Sequence, residues 1–421
     1  MNESRRNHGC GSHDAGALRL EEALARLREL LTPISDTHQL AVRDALGRVL
    51  GEDIHSPHDV PAHDNSAMDG YAVRHADAEA AAGDGLRLVG SAFAGHPFAG
   101  ELGAGECVRI MTGGVVPAGA DTVVMQEHAR VADERVIVER WPRAGEHVRR
   151  AGEDLARGGI VLAAGRRLSA ADLGLLASVG IPEVAVRRVP RVAFFSTGDE
   201  LRSLGEPLGP GEIHDSNRYT LFGMLTRLGV EVRDLGVVAD ERDAVRTALD
   251  SAARQADVVI TTGGVSVGEA DYLTELLAEV GEVGFWAVAV KPGRPLAHGR
   301  IGEAAYFGLA GNPVSAMVTF HQIVVPALRH LAGEAPRPPR RFRVRCQQGL
   351  RKRPGRLEFQ RGVLVPGADG ETEVRPLAQQ GSGVLRSMSE AHCFIVLPFD
   401  GEDVQAGERV EVEPFDAVLS G

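Results

Sequence analysis

The stretch RVAFFSTGDE (residues 191–200) predicts a buried strand that ends in a polar turn. Its apolar run is too short for a helix and does not alternate with charged residues, which is typical of a strand covered on both faces. Helical and strand-like segments alternate after it: helices over 217–228, 241–254, 270–280 and 313–331, and strands over 230–238, 257–261, 284–290 and 304–309. This alternation predicts an α/β fold with a doubly wound parallel sheet.

In the residues before this sheet, the sequence pattern predicts helices that are separated by a β-rich segment. Leucines at helical spacing predict an amphipathic helix over about 17–31, and a second helix is expected to carry Leu40 to Val49. Residues 52–150 show short β-like runs between Gly and Pro turns. Helical periodicity returns over 169–179. Helices on both sides of the β-rich segment are expected to pack together, which makes this domain discontinuous.

A proline-rich linker follows the α/β segment, and the short strand-like runs after it predict a small all-β domain. The predicted organisation is therefore a disordered tail (1–14), a discontinuous N-terminal domain (15–56 and 149–188), a β-rich domain (57–148), an α/β domain (189–333) and a C-terminal β domain (340–421).

Charge and apolar content exclude several classes of protein. A net charge of −12 argues against general nucleic-acid binding, which needs a basic face. No window of about 18 uninterrupted apolar residues predicts a membrane span, and the polar N-terminus lacks an apolar signal core. The cysteines show neither disulfide nor metal spacing, at Cys10, Cys107, Cys346 and Cys393. We therefore expect a cytoplasmic protein.

Polar, glycine-rich segments follow the strands of the predicted sheet. In an open α/β sheet ligands bind outside the carboxyl ends of the strands, so these segments are expected to lie at one rim. They are STGDE (196–200), Asp240, TTGGVSVGEAD (261–271), KPGRP (291–295) and LAGNPVSA (309–316).

The rim carries groups suited to a phosphate. Gly263, Gly264 and Gly268 allow backbone N–H groups to approach an anion, although glycine-rich turns also occur without a ligand. Lys291 and Arg294 add positive charge suited to phosphate or an oxometalate, although both also suit a solvated loop.

Carboxylates at the same rim suggest a metal. Glu200, Asp240 and Asp271 lie on three different turns, and Mg²⁺ prefers carboxylate oxygens together with substrate phosphate. Asp240 or Asp271 alone would equally serve as a helix cap, but three converging carboxylates favour the metal. The β-rich domain adds a second polar group of residues, which comprises Asp64, Asn65, Ser66, Asp69 and Thr112.

Six motifs follow one another along the chain: PAHDNSAMDGYAVR (61–74), RIMTGGVVPAGADTVVMQE (109–127), STGDEL (196–201), TTGGVSVGEADY (261–272), KPGRP (291–295) and GNPVSAMVTF (311–320). From about residue 17 onwards, the chain resembles the MoeA family, to which the E domain of gephyrin is related. The resemblance implies four domains, one of them MogA-like, and a homodimer whose active site lies between the α/β domain of one subunit and the β-rich domain of the other. It also implies a Mg²⁺-dependent transfer of molybdenum from molybdate to adenylylated molybdopterin with release of AMP, and transient contacts with proteins that make molybdopterin and mature molybdoenzymes.

The resemblance also assigns roles to residues. It implies that catalysis involves Asp69, Thr112, Glu200, Asp240, Asp271 and Lys291, with Glu200, Asp240 and Asp271 holding Mg²⁺. Together with the strand-end turns and the polar segment of the β-rich domain, it leads us to expect that the substrate is bound by Ser66, Asp154, Thr197, Gly198, Gly263, Gly264, Ser266, Gly268, Arg294, Pro313, Arg361 and Ser382.

Three positions depart from the family pattern: Ala310 replaces a proline, Ala287 a basic residue and Arg294 a lysine. The loss of one positive charge would weaken oxyanion binding or shift its preference towards tungstate. The alternatives are therefore a tungstate-handling relative, a molybdopterin adenylyltransferase and a gephyrin-like scaffold. The extra domains argue against adenylyl transfer as the main activity, and no receptor-binding extension favours a scaffold.

Overall fold

The structure is a computed structural model that describes residues 16–79, 81, 83–263 and 271–419, without the side chains of 271–274. The chain divides into two compact units. We call them the larger unit, which comprises Met1–His38, Gly47–Gly51 and Arg187–Gly421, and the smaller unit, which comprises Gln39–Leu46 and Glu52–Val186. No helix in the described part of the chain is both long enough and apolar enough to cross a membrane.

A six-stranded sheet forms the centre of the larger unit. Its strands lie in the order Glu231–Val238, Arg191–Thr197, Val258–Thr262, Ala304–Leu309, Pro295–Ile301 and Gly281–Ala287. The first four are parallel, as predicted. The prediction missed Pro295–Ile301, which runs antiparallel to both of its neighbours. A proline at the start of this strand and Gly299 within it weaken the sequence pattern of a strand.

Alternate residues of the strand Arg191–Thr197 pack into different cores. Val192 and Phe194 belong to one apolar cluster, and Ala193 and Phe195 belong to another. Because side chains alternate across a strand, both faces of the sheet must be covered. The covering elements are the α-helices Leu20–Leu30, Ser216–Leu228, Arg242–Gln255, Asp271–Val280, Pro313–Thr319 and Val325–Leu331, with a π-helical stretch at Phe320–Val324. The long helix predicted over 313–331 is thus interrupted by a π-helical stretch.

A closed barrel forms the C-terminal part of the larger unit. Its five strands are Phe342–Cys346, Leu357–Pro366, Thr372–Pro376, Cys393–Leu397 and Arg409–Pro414, with a short helix at Arg386–Glu390. Pairing of Leu357–Pro366 with both Thr372–Pro376 and Cys393–Leu397 closes the barrel. The two-residue strand Val290–Lys291 adds to the barrel in parallel, with Lys291 opposite Glu358. Leu201–Arg202 and Ile213–His214 form a separate two-stranded sheet.

The smaller unit is β-rich, as predicted. Its main sheet has the order Thr122–Met125, Gly70–Val73, Glu106–Ile110, Leu86–Ala92, Arg135–Val138 and Ala129–Ala132. Two pairs of short strands accompany it, Asn65–Ser66 with Val148–Arg149 and Ile54–His55 with Ile160–Leu162. Its helix, Ala170–Ser178, begins after Ser169, whose hydroxyl caps the N–H of Asp172. Other short elements are the 3₁₀ turns His75–Asp77 and Gln126–His128 and the strand Glu183–Arg187, whose last residue belongs to the larger unit.

The helix predicted over Leu40 to Val49 is wrong. The chain forms the strand Thr37–Ala41 and then a 3₁₀ turn at Val42–Asp44. Leu46, which the helical pattern counts as apolar, has 58% of its surface exposed. Gly47 has φ +74°, a backbone conformation that a helix interior does not allow.

Candidate functional site

A cleft of about 740 Å³ lies at the carboxyl ends of the parallel strands of the larger unit. We call it the strand-end cleft. It brings together residues from four of the five predicted rim segments, including Thr197, Glu200, Gly263, Pro295 and Pro313. Pro313 is the first residue of its helix, so the helix begins at the cleft wall. The predicted rim is thus confirmed for these segments, because the fold assembles them from distant parts of the sequence.

Two glycines allow close packing at this cleft. A Cβ atom on Gly263, which has φ +90°, would lie 2.0 Å from the carbonyl oxygen of Thr197. A Cβ on Gly198 would lie 2.6 Å from Oε2 of Glu200. The backbone therefore excludes a larger residue at Gly263, whereas at Gly198 the exposed carboxylate of Glu200 would have to move aside. The predicted anion contacts Gly264, Ser266 and Gly268 lie outside the described residues.

The predicted metal-binding carboxylates have different surroundings. Glu200 is exposed and lines the strand-end cleft. Asp240 accepts a hydrogen bond of 3.2 Å from the hydroxyl of Thr197. Asp271 begins the helix Asp271–Val280, but its side chain is outside what the structure describes. Among the described residues, no three His, Cys, Asp or Glu side chains form a group that could hold a metal ion.

A second cleft, of about 330 Å³, lies where the segment from Lys291 meets the barrel. We call it the lysine cleft. Ser315 lines both clefts, which places them side by side. Nζ of Lys291 donates to Oε1 of Glu358 at 2.9 Å, and Nε2 of Gln360 donates to the same oxygen at 3.0 Å. The buried carboxylate of Glu358 thus holds the ammonium group of Lys291, whose side chain is exposed to solvent.

Arg361 is buried and supports the wall of the lysine cleft. Its Nε donates to Oγ of Ser387 at 3.1 Å, and its Nη2 donates to the carbonyl of Gly381 at 3.2 Å. Burial lowers the pKa of Arg361 to about 10, so the group remains charged at neutral pH. The carbonyl of Ser382 accepts the N–H of Val314 at 3.0 Å. These two predicted substrate contacts therefore also fix the loop between the two clefts.

Sequence reasoning placed Ser196 in a rim segment without assigning it a role, and it missed five other polar residues of the two clefts, namely Asp215, Asn217, Glu358, Gln360 and Gln380. A signal was present for two of them. Glu358 and Gln360 are polar residues at alternate positions of a strand with a buried face, and both are buried. Such residues need hydrogen-bond partners inside the protein, which points to a polar interior contact.

Asp69 and Thr112 meet in the smaller unit. The backbone N–H and the hydroxyl of Thr112 donate to Oδ1 of Asp69 at 2.8 and 2.7 Å. These bonds, the backbone bond first, lower the pKa of the Asp69 carboxyl, and the charge of Arg109 lowers it further. Ser66 is buried, and its hydroxyl donates to the carbonyl of Met68 at 2.5 Å. Asp154 is exposed in a loop, and its backbone N–H donates to the carbonyl of Val60 at 3.0 Å.

The described cysteines do not provide a reactive thiol. Cys107, Cys346 and Cys393 are buried, and burial raises the pKa of both Cys107 and Cys393 to about 12. A thiol with such a pKa carries almost no thiolate at neutral pH. Cys10 lies outside the described residues.

A mainly parallel sheet with a polar strand-end cleft, joined to a closed barrel with a lysine cleft, defines a multidomain α/β protein. The chain matches three consecutive family descriptions: "MoeA N-terminal region (domain I and II)" over residues 18–180, "Probable molybdopterin binding domain" over 193–330 and "MoeA C-terminal region (domain IV)" over 343–415. The chain belongs to the MoeA family, as the six motifs indicate.

Relatives cover nearly the whole chain. The molybdopterin molybdenumtransferase of Haemophilus influenzae is 43% identical over 96% of this chain and 100% of its own length. The protein of the same name from Nostoc sp. is 37% identical over 90% of this chain and 88% of its own. The crystal structure of the molybdopterin biosynthesis MoeA protein from Pyrococcus horikoshii OT3 is 28% identical, with a TM-score of 0.80, over 95% of this chain and 100% of that one.

Proposed function

We propose that the chain is a molybdopterin molybdenumtransferase, which inserts molybdenum from molybdate into adenylylated molybdopterin and releases AMP. Relatives that span its length carry this name, and its α/β segment matches a molybdopterin-binding domain. The observation that carries the proposal is the meeting of two clefts at Ser315. One offers glycine turns and carboxylates for a phosphoanhydride, and the other offers a lysine for an oxyanion.

The strand-end cleft is proposed to hold the phosphoanhydride. Backbone N–H groups in its glycine-rich turns suit phosphate oxygens, and the wall at Gly263 leaves no space for a side chain. Glu200, Asp240 and Asp271 would hold Mg²⁺, which requires only one or two carboxylates when phosphate supplies the other oxygens. Bound Mg²⁺ supplies charge that stabilises the departing phosphate of AMP.

The lysine cleft is proposed to hold molybdate as the second substrate. One N–H of Lys291 is directed to Glu358, which leaves the other donors of its ammonium group for oxyanion oxygens. Fifty-seven per cent of the Lys291 side chain is exposed, so an anion reaches it from solvent. The buried guanidinium of Arg361 adds a positive charge at the wall of the lysine cleft, which would also attract an anion.

We further propose that the enzyme is a cytoplasmic homodimer in which Asp69 and Thr112 of one subunit complete the site of the other. Two aromatic side chains support a second copy as partner. Tyr219 and Phe222, one helical turn apart on Ser216–Leu228, are each 47% exposed. Aromatic residues at such spacing form an apolar patch of the kind that protein interfaces cover. Contacts with proteins that make molybdopterin and mature molybdoenzymes would be transient.

The test is AMP release from adenylylated molybdopterin with Mg²⁺, and with either molybdate or tungstate. We expect molybdate-dependent release of AMP and retention of molybdenum on the pterin. We expect Asp271→Ala to slow release strongly at saturating molybdate. Normal AMP release by Asp271→Ala would contradict the metal assignment, and no release with either oxyanion would contradict the proposed function. Consumption of ATP with metal-free pterin would instead identify an adenylyltransferase.

A further inference from the structure

Two almost fully buried polar side chains of the strand-end cleft each leave an oxygen without a hydrogen-bond partner in the described part of the chain. They are Oγ of Ser196, whose residue is 0% exposed, and Oδ2 of Asp215, whose residue is 3% exposed. Both residues line the same cleft. Buried polar atoms in folded proteins are nearly always paired, because an unmet partner costs stability. Two such oxygens in one cleft therefore point to a ligand that pairs with them.

The fold accounts for one oxygen of Asp215 but not for the other. Oδ1 caps the helix Ser216–Leu228 by accepting the N–H of Arg218 at 3.1 Å. The guanidinium of Arg218 is directed elsewhere, because its Nε lies 2.8 and 2.9 Å from the two carboxylate oxygens of Asp234. The cap thus fixes the position of the Asp215 carboxylate, and Oδ2 remains an acceptor.

Asn217 holds this helix start against the sheet. Its Nδ2 donates to Oγ1 of Thr262 and to the carbonyl of Gly311, each at 2.8 Å. Thr262 ends one parallel strand, and Gly311 follows another. The carboxylate of Asp215 is therefore anchored to the same strand ends that form the cleft, which is the rigidity that a selective site requires.

We propose that Oδ2 of Asp215 accepts hydrogen bonds from the pyrimidine edge of the pterin ring and so selects a 2-aminopteridine, with the hydroxyl of Ser196 donating to the ring carbonyl. The inference rests on the proposed function and names the part of the substrate that this end of the cleft recognises. The 2-amino group and the adjacent ring N–H of a pterin are neighbouring donors, which match an acceptor-only carboxylate. The adenine of AMP presents a ring acceptor beside its amino group, which a carboxylate repels. The pterin is therefore favoured over the nucleotide.

The experiment measures equilibrium binding of two fluorescent probes to the full-length protein, 6-carboxypterin and 6-carboxylumazine. The second probe carries an oxygen in place of the 2-amino group. We expect the wild-type protein to bind the pterin at least about tenfold more tightly, since a site built for a donor rejects an analogue without it. Asp215→Asn should abolish this preference. Asparagine is an equally good N-cap, so the helix start is retained. Ser196→Ala should weaken binding of both probes to a similar extent.

Asp243→Asn is the matched control, because it makes the same change on an exposed carboxylate in the first turn of another helix, which does not line the cleft. It should keep the preference for pterin. Equal binding of the two probes by the wild-type protein, or an unchanged preference in Asp215→Asn, would overturn the inference. So would a loss of AMP affinity in Asp215→Asn without loss of pterin affinity, since Asp215 would then contact adenine. Because binding is measured without molybdate, a preserved preference without AMP release would count against the proposed function alone.

Discussion

Nζ of Lys291 lies 2.9 Å from Oε1 of Glu358, so an exposed ammonium is paired with a carboxylate whose side chain is only 7% exposed. The pairing follows from the register of two strands, in which Val290–Lys291 runs parallel to the barrel strand and places Lys291 opposite Glu358. The carboxylate orients the ammonium, and its negative charge also opposes an oxyanion that binds beside it.

Replacing Glu358 by glutamine should therefore strengthen molybdate binding. The amide oxygen still accepts from Lys291, but the opposing charge is lost. One charge about 4 Å away contributes about 1 kcal/mol even at the dielectric of water, and the Glu358 carboxylate is buried, so the dissociation constant should fall by about fivefold or more. Calorimetric titration with molybdate measures the change.

Two controls define that result. Lys291→Ala should reduce molybdate affinity, because it removes the proposed donor. Glu371→Gln, on an exposed carboxylate of the C-terminal segment that pairs with Arg409, should leave the affinity unchanged. Weaker binding by Glu358→Gln would show that the carboxylate serves the anion only by orienting the lysine.

The Lys291–Glu358 pair also shows where sequence reasoning ends. Val192 to Phe195 predict a strand covered on both faces because their pattern is local, and the carboxyl-end rule then locates the rim. The partners of the pair are separated by 67 residues and meet through strand pairing between the segment at Lys291 and the barrel. No periodicity in the sequence encodes that register. The antiparallel strand Pro295–Ile301 was missed because its proline and glycine weaken the sequence pattern by which a strand is recognised.

Thr112→Val should raise the pKa of the Asp69 carboxyl. The substitution removes the hydroxyl donor at 2.7 Å but keeps the backbone N–H at 2.8 Å, which is the stronger cause of the lowered pKa. The pKa should therefore rise only part of the way to its usual value. Carbon-detected NMR titration of the Asp69 carboxyl follows it. Thr247→Val is the control. The hydroxyl of Thr247 donates to the carbonyl of Asp243 in its own helix of the larger unit, so its removal should leave the titration of Asp69 unchanged. An unaltered pKa in Thr112→Val would mean that the hydroxyl bond is not formed in solution.

Arg361→Lys should destabilise the protein although it keeps the charge. An ammonium group cannot reproduce the forked contacts of the guanidinium with Ser387 and the carbonyl of Gly381. Loss of buried hydrogen bonds to a charged group should lower the free energy of unfolding by about 2 kcal/mol. Urea denaturation measures the effect. Arg353→Lys, on an exposed barrel residue, should change it little. If the two variants are equally stable, Arg361 does not support the cleft wall.

His298 should make the larger unit sensitive to acid. It is 8% exposed, its ring lies 3.5 Å from the ring of Trp286 between centroids, and neither ring nitrogen has a hydrogen-bond partner among the described residues. Burial, together with the charge of Arg26, lowers the pKa of His298 to about 4 from its usual 6.5. The folded state therefore holds a neutral imidazole where the unfolded state takes up a proton. Stability should be complete above pH 6.5 and should fall as the pH drops towards 4, by up to about 3 kcal/mol from this residue.

The contribution of His298 is isolated by comparison with His298→Phe, which keeps an aromatic ring against Trp286 and cannot take up a proton. Other groups titrate in the same range, so the measured quantity is the difference in unfolding free energy between the two proteins at each pH. That difference should shift in favour of the variant as the pH falls from 6.5 to 4 and should be constant above 7. A difference independent of pH for His298→Phe would mean that the imidazole takes up a proton as readily in the folded protein as in the unfolded chain.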